Sequence, residues 1–139
     1  MRLSTTIPAL PVASIGAAVA WYEERFGFTC RHRDDDGFAI VVRDDCEIHL
    51  WLASDDGWRL RPADDLAESP VRTGAEDFIA GTASCRVLVD DVDGLHAELA
   101  AAGVLHPTDP GEPVDTDFGT REFATLDVDG NLLSFYRRL

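Results

Sequence analysis

The sequence predicts an α+β fold made of two tandem βαβββ modules that enclose a cup-shaped mixed sheet. Two observations carry this. Residues 12–28 read VASIGAAVAWYEERFGF and residues 89–104 read VDDVDGLHAELAAAGV. Each stretch passes from a strand-like residue through a capping Ser or Asp into a helix with an apolar stripe, then stops at Gly. A β-patterned stretch follows each one, so a short unit occurs twice. With 139 residues, the chain can bury a core without metal or disulfide staples.

The elements follow in order. Residues 6–12 favour an extended strand, and Pro8 and Pro11 restrict it to a sheet edge or an exchanged arm. Ser14 suits an N-cap, and Ile15, Val19, Tyr22 and Phe26 fall on one helical face that ends at Gly27. Residues 38–42 and 46–52 pair as a hairpin around Asp44-Asp45. In the second of these strands Ile48, Leu50 and Leu52 share one face, and Glu47, His49 and Trp51 share the other. Residues 53–80 carry Pro and Gly and form a connector with a short helix near residues 75–79. Residues 82–89 are the next strand. Asp90 or Asp91 caps a helix whose face is Val92, Leu95, Leu99 and Ala102, and Gly103 ends it. Residues 106–117 read as a loop. Residues 121–126 and 132–137 close the chain as a hairpin. Module one thus spans about residues 4–53, the connector 54–81 and module two 82–139. Neither half covers its own sheet, so the halves are expected to pair.

Composition narrows the function. Twelve basic residues against 26 acidic ones leave a net charge of −14. Nucleic-acid affinity rests on neutralising phosphate, so this surface opposes DNA binding. Most of the acids sit in turns and caps and serve solubility, while the field they create attracts cationic small ligands. No apolar run is long enough for a membrane span. The opening MRLSTTIPALPVAS does not have the form of a signal peptide. Cys30, Cys46 and Cys85 are odd in number and lack metal-ligand spacing, which suits reduced thiols in the cytoplasm.

The stretches AVAWYEERFGF and FGTREFATLDVDGNLLSF resemble the first helix and the closing W-G-x-R-E-F…D-P-D-G-N hairpin of the vicinal oxygen chelate superfamily. That superfamily includes glyoxalases, extradiol dioxygenases, fosfomycin-resistance enzymes and bleomycin-resistance proteins. The resemblance implies four cup-facing positions that supply metal ligands in the metal-dependent members. Here they fall on Ile7, His49, Ser84 and Ser134, and only His49 is a good ligand. A shift by two residues adds Glu47 alone. No metal and no other cofactor is therefore expected, and catalysis is not.

GFAIVVRDD is similar to a hairpin of the bleomycin-resistance branch. That likeness implies a non-catalytic homodimer that sequesters drug in a crevice between subunits, with an N-terminal strand exchanged around Pro8 or Pro11. Bleomycin carries flat bithiazole rings and a cationic tail, which favour aromatic stacking and acids. The ligand-binding candidates are Phe38, Glu47, His49, Trp51, Trp58, Ser84, Arg86, Phe118 and Ser134. Phe118 stands where the family has Trp, and Arg86 where some binders keep an aromatic. An enzyme of the same fold acting on a small oxygenated substrate, and a biosynthetic or regulatory module, are the alternatives. Arg121-Glu122 is expected to pair within the hairpin, and His96 and His106 to lie on the surface.

Overall fold

The computed structural model describes residues 1–53, 62, 64 and 78–139. Module one is β1 (Ala9–Val12), α1 (Ile15–Phe26), β2 (Thr29–Asp34), β3 (Phe38–Arg43) and β4 (Cys46–Leu52). Module two is β5 (Ser84–Leu88), α2 (Val92–Ala102), β6 (Val114–Asp115), β7 (Thr120–Leu126) and β8 (Leu132–Arg138). Trp58 and most of the connector helix expected near residues 75–79 lie outside the described residues.

The two modules share one topology. Strand order is β1-β4-β3-β2 in one sheet and β5-β8-β7-β6 in the other. In each, the first strand runs parallel to the last and the remaining pairs are antiparallel. β1 and β5 are therefore edge strands. That position tolerates Pro11, which lacks the N–H an inner strand needs. β1 is shorter than the stretch 6–12 expected of it, and Ile7 lies before its first residue, about half exposed.

α1 forms because Ser14 is extended, with φ −148°, and its hydroxyl accepts from Ala17 N at 3.2 Å. Gly27 closes the helix at φ +70°, a left-handed conformation that a Cβ disfavours. Ile15, Val19, Tyr22 and Phe26 all face inward, as their spacing predicts. They pack on the apolar face of the first sheet, made by Leu10, Val12, Ala39, Val41, Ile48 and Leu50. Each Val, Leu, Ile or Phe side chain among them contributes about 1.5–3 kcal/mol on burial. In α2, Asp91 accepts from Gly94 N at 2.9 Å and Gly103 ends the helix at φ +73°.

Two expectations fail here. His96 is buried rather than on the surface. It sits four residues after Val92, on the inward stripe, and its Nε2 meets both carboxylate oxygens of Asp109 at 3.0 and 3.1 Å. A buried polar ring needs such a partner. Arg121 and Glu122 do not pair with each other either, because neighbours on a strand point to opposite faces. Arg121 binds Asp93 and Asp115, at 2.7 and 2.9 Å, while Glu122 takes Arg86. The loop of residues 106–117 also contains the short strand β6.

The seam between modules is polar and specific. Arg43 forks onto Glu98 at 2.8 and 3.0 Å, and Arg25 donates to the carbonyl of Ala102 at the end of α2. The turn before β8 reaches across as well: Tyr22 Oη donates to Asp127 Oδ2 at 3.1 Å. Burial and the Asp127 carboxylate both push the Tyr22 hydroxyl well above its usual pKa, so it stays a donor.

Candidate ligand-binding site

On β4, Ile48 and Leu50 are fully buried against α1, and the alternation turns Glu47, His49 and Trp51 onto the opposite, half-buried face. Register places Ile40 beside His49 and Phe38 beside Trp51. The result is an aromatic cluster. Phe38 lies 4.5 Å from Trp51, 5.0 Å edge-on from His49 and 5.7 Å from His32, between ring centroids. The Trp51 indole N–H is buried without a partner among the described residues.

Glu47 is bound from two sides. His49 Nε2–H donates to it at 2.7 Å, and Arg31 approaches at 3.0 Å. Arg31 gains that reach from an irregularity between Cys30 and His32 that leaves it out of the β2–β3 register. The His49 hydrogen bond, with Arg31 helping, holds the Glu47 carboxyl below the usual carboxylate range. Glu47 is thus a fixed negative charge, poorly suited to giving up a proton near neutrality.

The second sheet supplies a separate group. Ser84, Arg86 and Leu88 face outward on β5, and Arg86 is in register with Ser134. The Arg86 guanidinium lies over the Tyr136 ring at 4.5 Å and over Phe118 at 5.8 Å, and it is ion-paired with Glu122. Thr120 Oγ1 steadies that carboxylate at 2.8 Å. A groove of about 1540 Å³ runs along the seam, with Ile7, Phe28, Glu47, Arg86, Leu88 and Tyr136 among its lining residues. A smaller hollow of about 410 Å³ near residues 13–16 touches none of the predicted site residues.

The predicted residues therefore fall into two clusters, Phe38–Glu47–His49–Trp51 on one sheet and Ser84–Arg86–Ser134–Phe118 on the other. Glu47 and Arg86 both line the groove. Sequence reasoning missed Arg31, His32, Glu122 and Tyr136. Tyr136 lies two residues beyond Ser134, so strand parity alone would have found it. Among the described residues, no group of three or more His, Cys, Asp and Glu side chains is placed to hold a metal ion. Ile7, Ser84 and Ser134 lack donors of useful strength, and the residues do not fit the metal of the metal-dependent relatives.

A duplicated βαβββ fold, with an aromatic cluster and an acid-lined groove, defines a small-ligand-binding protein. Residues 5–135 match the family described as the Glyoxalase/Bleomycin resistance protein/Dioxygenase superfamily. The chain is 46% identical, over 134 residues, to the bleomycin resistance proteins of Geobacillus stearothermophilus and Staphylococcus aureus, covering 96% of each chain. Among solved structures, a bleomycin-binding protein complexed with bleomycin superposes with a TM-score of 0.68 at 22% identity, covering 99% of this chain and 100% of that one. The chain belongs to the Glyoxalase/Bleomycin resistance protein/Dioxygenase superfamily.

Proposed function

We propose that this protein binds a bleomycin-type glycopeptide, or a related aromatic antibiotic, and confers resistance by sequestering it without catalysis. The 46% identity to bleomycin resistance proteins, running through 96% of both chains, carries this reading. The site agrees with it in chemistry. The Phe38–Trp51 pair offers π-faces to flat heteroaromatic rings, and ionised Glu47 lies four residues from Trp51 on the same strand face. The net charge of −14 draws a cationic drug toward the groove and disfavours DNA. Sequestration needs only mass action: protein in excess of drug, with a dissociation constant below the toxic concentration.

The acting form in this reading is a cytoplasmic homodimer with two crevices. Edge strands β1 and β5 and the exposed side chains of Ile7 and Leu88 give a partner subunit backbone and apolar surface to cover. Exchange of the arm around Pro8 would keep the same β1–β4 contacts between subunits instead of within one. Among the described residues no helix is long and apolar enough to cross a membrane.

Titrating the protein with bleomycin by calorimetry, with tryptophan emission followed in parallel, tests the binding. The expected result is saturable heat with one drug per subunit and quenching of Trp51. Absence of both signals at micromolar protein would overturn the proposal. Light scattering of the eluted protein reads the dimer independently.

A further inference from the structure

The groove contains a cationic side chain lodged in surroundings that suit a cation from outside. Arg86 lies 4.5 Å over Tyr136 and 5.8 Å over Phe118, and its guanidinium is paired with Glu122. Two π-faces and one carboxylate are what a planar or alkyl cation needs when it leaves water. Register sets these groups together: Glu122 pairs with Tyr136 across β7–β8, and Arg86 sits beside Ser134 across β5–β8. Thr120 Oγ1 keeps the carboxylate aimed inward.

We propose that Tyr136, Phe118 and Glu122 form a seat for a cationic group of the ligand, and that Arg86 fills this seat in the free protein as an internal competitor. Three observations support exchange. The Arg86 side chain is 47% exposed on an edge strand, so its stem can swing without disturbing the core. Among the described residues its guanidinium has no ion-pair partner besides Glu122. Arg86 and Tyr136 both line the large groove, so an entering ligand reaches the Tyr136 side of the seat directly. The ligand class is a flexible chain ending in guanidinium, ammonium or sulfonium. Where that chain belongs to a bleomycin-type drug, the inference rests on the function proposed above. The seat itself does not.

Arg86 then sets specificity by subtraction. A ligand cation gains only the difference between its own fit and that of Arg86. Removing the competitor should strengthen the seat for any small guanidinium.

The test uses agmatine alone, followed by saturation-transfer NMR, on the wild type, Arg86→Ala and Arg86→Ala/Glu122→Gln. Removal of Arg86 should tighten agmatine binding roughly fivefold or more, the scale of one exposed cation–π contact plus a carboxylate. The double variant should lose that gain. Arg86→Met, which keeps the aliphatic stem, should behave like Arg86→Ala and controls for folding. Equal or weaker agmatine binding after removal of Arg86 overturns the proposal, as does a gain that survives Glu122→Gln. In parallel, bleomycin with a cationic tail and bleomycinic acid, which lacks one, are titrated by calorimetry. The ratio of their affinities should rise in Arg86→Ala. If no protein binds either drug while agmatine shows the gain, the bleomycin reading fails and the seat stands. If the drugs bind with an unchanged ratio and agmatine shows no gain, the seat fails and the bleomycin reading stands.

Discussion

Asn131 Nδ2 donates to the backbone carbonyl of Pro11 at 2.8 Å, across 120 residues of sequence. The same side chain donates to Asp127 Oδ2 at 2.9 Å, and its Oδ1 accepts from Ala83 N at 3.1 Å. One buried amide thus joins the last turn, the first strand and the entry to β5. Asn131→Ala would strand Ala83 N and leave Pro11 O with only the longer bond from Gly81 N, at 3.3 Å. The expected loss is about 2–4 kcal/mol of unfolding free energy. Urea unfolding followed by circular dichroism measures it, and a loss within experimental error would refute the clamp.

Trp51 faces Phe38 on the concave side rather than in the apolar core, so its removal should affect binding more than folding. Trp51→Ala is expected to weaken bleomycin binding roughly tenfold, with Trp51→Phe intermediate. Calorimetry on both variants, beside their melting curves, separates the two effects. Unchanged affinity would remove Trp51 from the site.

Burial pushes the Cys85 thiol up to about 12, with nearby Cys46 and Asp127 adding to the effect. Cys46 and Cys30 are also raised, mainly by burial. At pH 8 the native protein should therefore react slowly with a disulfide reagent, and the urea-unfolded protein fast. The stability sign follows. Below the ordinary thiol pKa of 9.0 both states hold the Cys85 proton, and between there and about 12 only the folded state does. Stability should thus fall as pH rises through that window, and less so in Cys85→Ala. Fast labelling of Cys85 in the native state would contradict this.

Glu47 is held low by His49 and Arg31. A depressed carboxylate contributes stability above its unfolded pKa, near 4.5, and loses it as pH falls through the lower folded value. Glu47→Gln should therefore lower stability near neutral pH and flatten the acid limb below about pH 4.5, so that the two proteins converge in acid. Denaturation midpoints at stepped pH values check the slope. An identical acid limb would show that the Glu47 carboxylate is not coupled to folding.

The His96–Asp109 contact pins the loop that precedes β6, and Asp109 Oδ1 also accepts from Gly111 N at 2.8 Å. His96→Ala should speed amide exchange across residues 106–112 while leaving β2–β4 protected, at a cost of about 1–3 kcal/mol. Uniform acceleration throughout the chain would count against a local anchor.

Legibility in the sequence followed physical range. Helix stripes, caps and stop glycines are local, so Ile15–Phe26 and the Asp91 cap could be read directly. Alternation placed Glu47, His49 and Trp51 on one face, because strand parity depends on nothing distant. Partners were another matter. Asp127 and Asn131 read as a family turn, yet their hydrogen bonds to Tyr22 and Pro11 come from the other module. The chemistry of Arg86 depended on Tyr136 and Glu122, which only the sheet register brings near. His96 was misread because a polar residue on an apolar stripe stays inward only if a loop supplies its partner.

The amide clamp at the seam also has a temporal consequence. Bonds from Asp127, Asp129 and Asn131 to Tyr22, Ala13 and Pro11 join residues 105, 116 and 120 positions apart, while strand partners within either sheet are at most 48 apart (Ser84 and Leu132). Loop-closure entropy delays such distant contacts until local structure exists. Each module therefore gathers its own hairpins first. Docking is expected to come last in folding and to reverse first, which would make the seam, rather than either sheet, set how long the native protein survives.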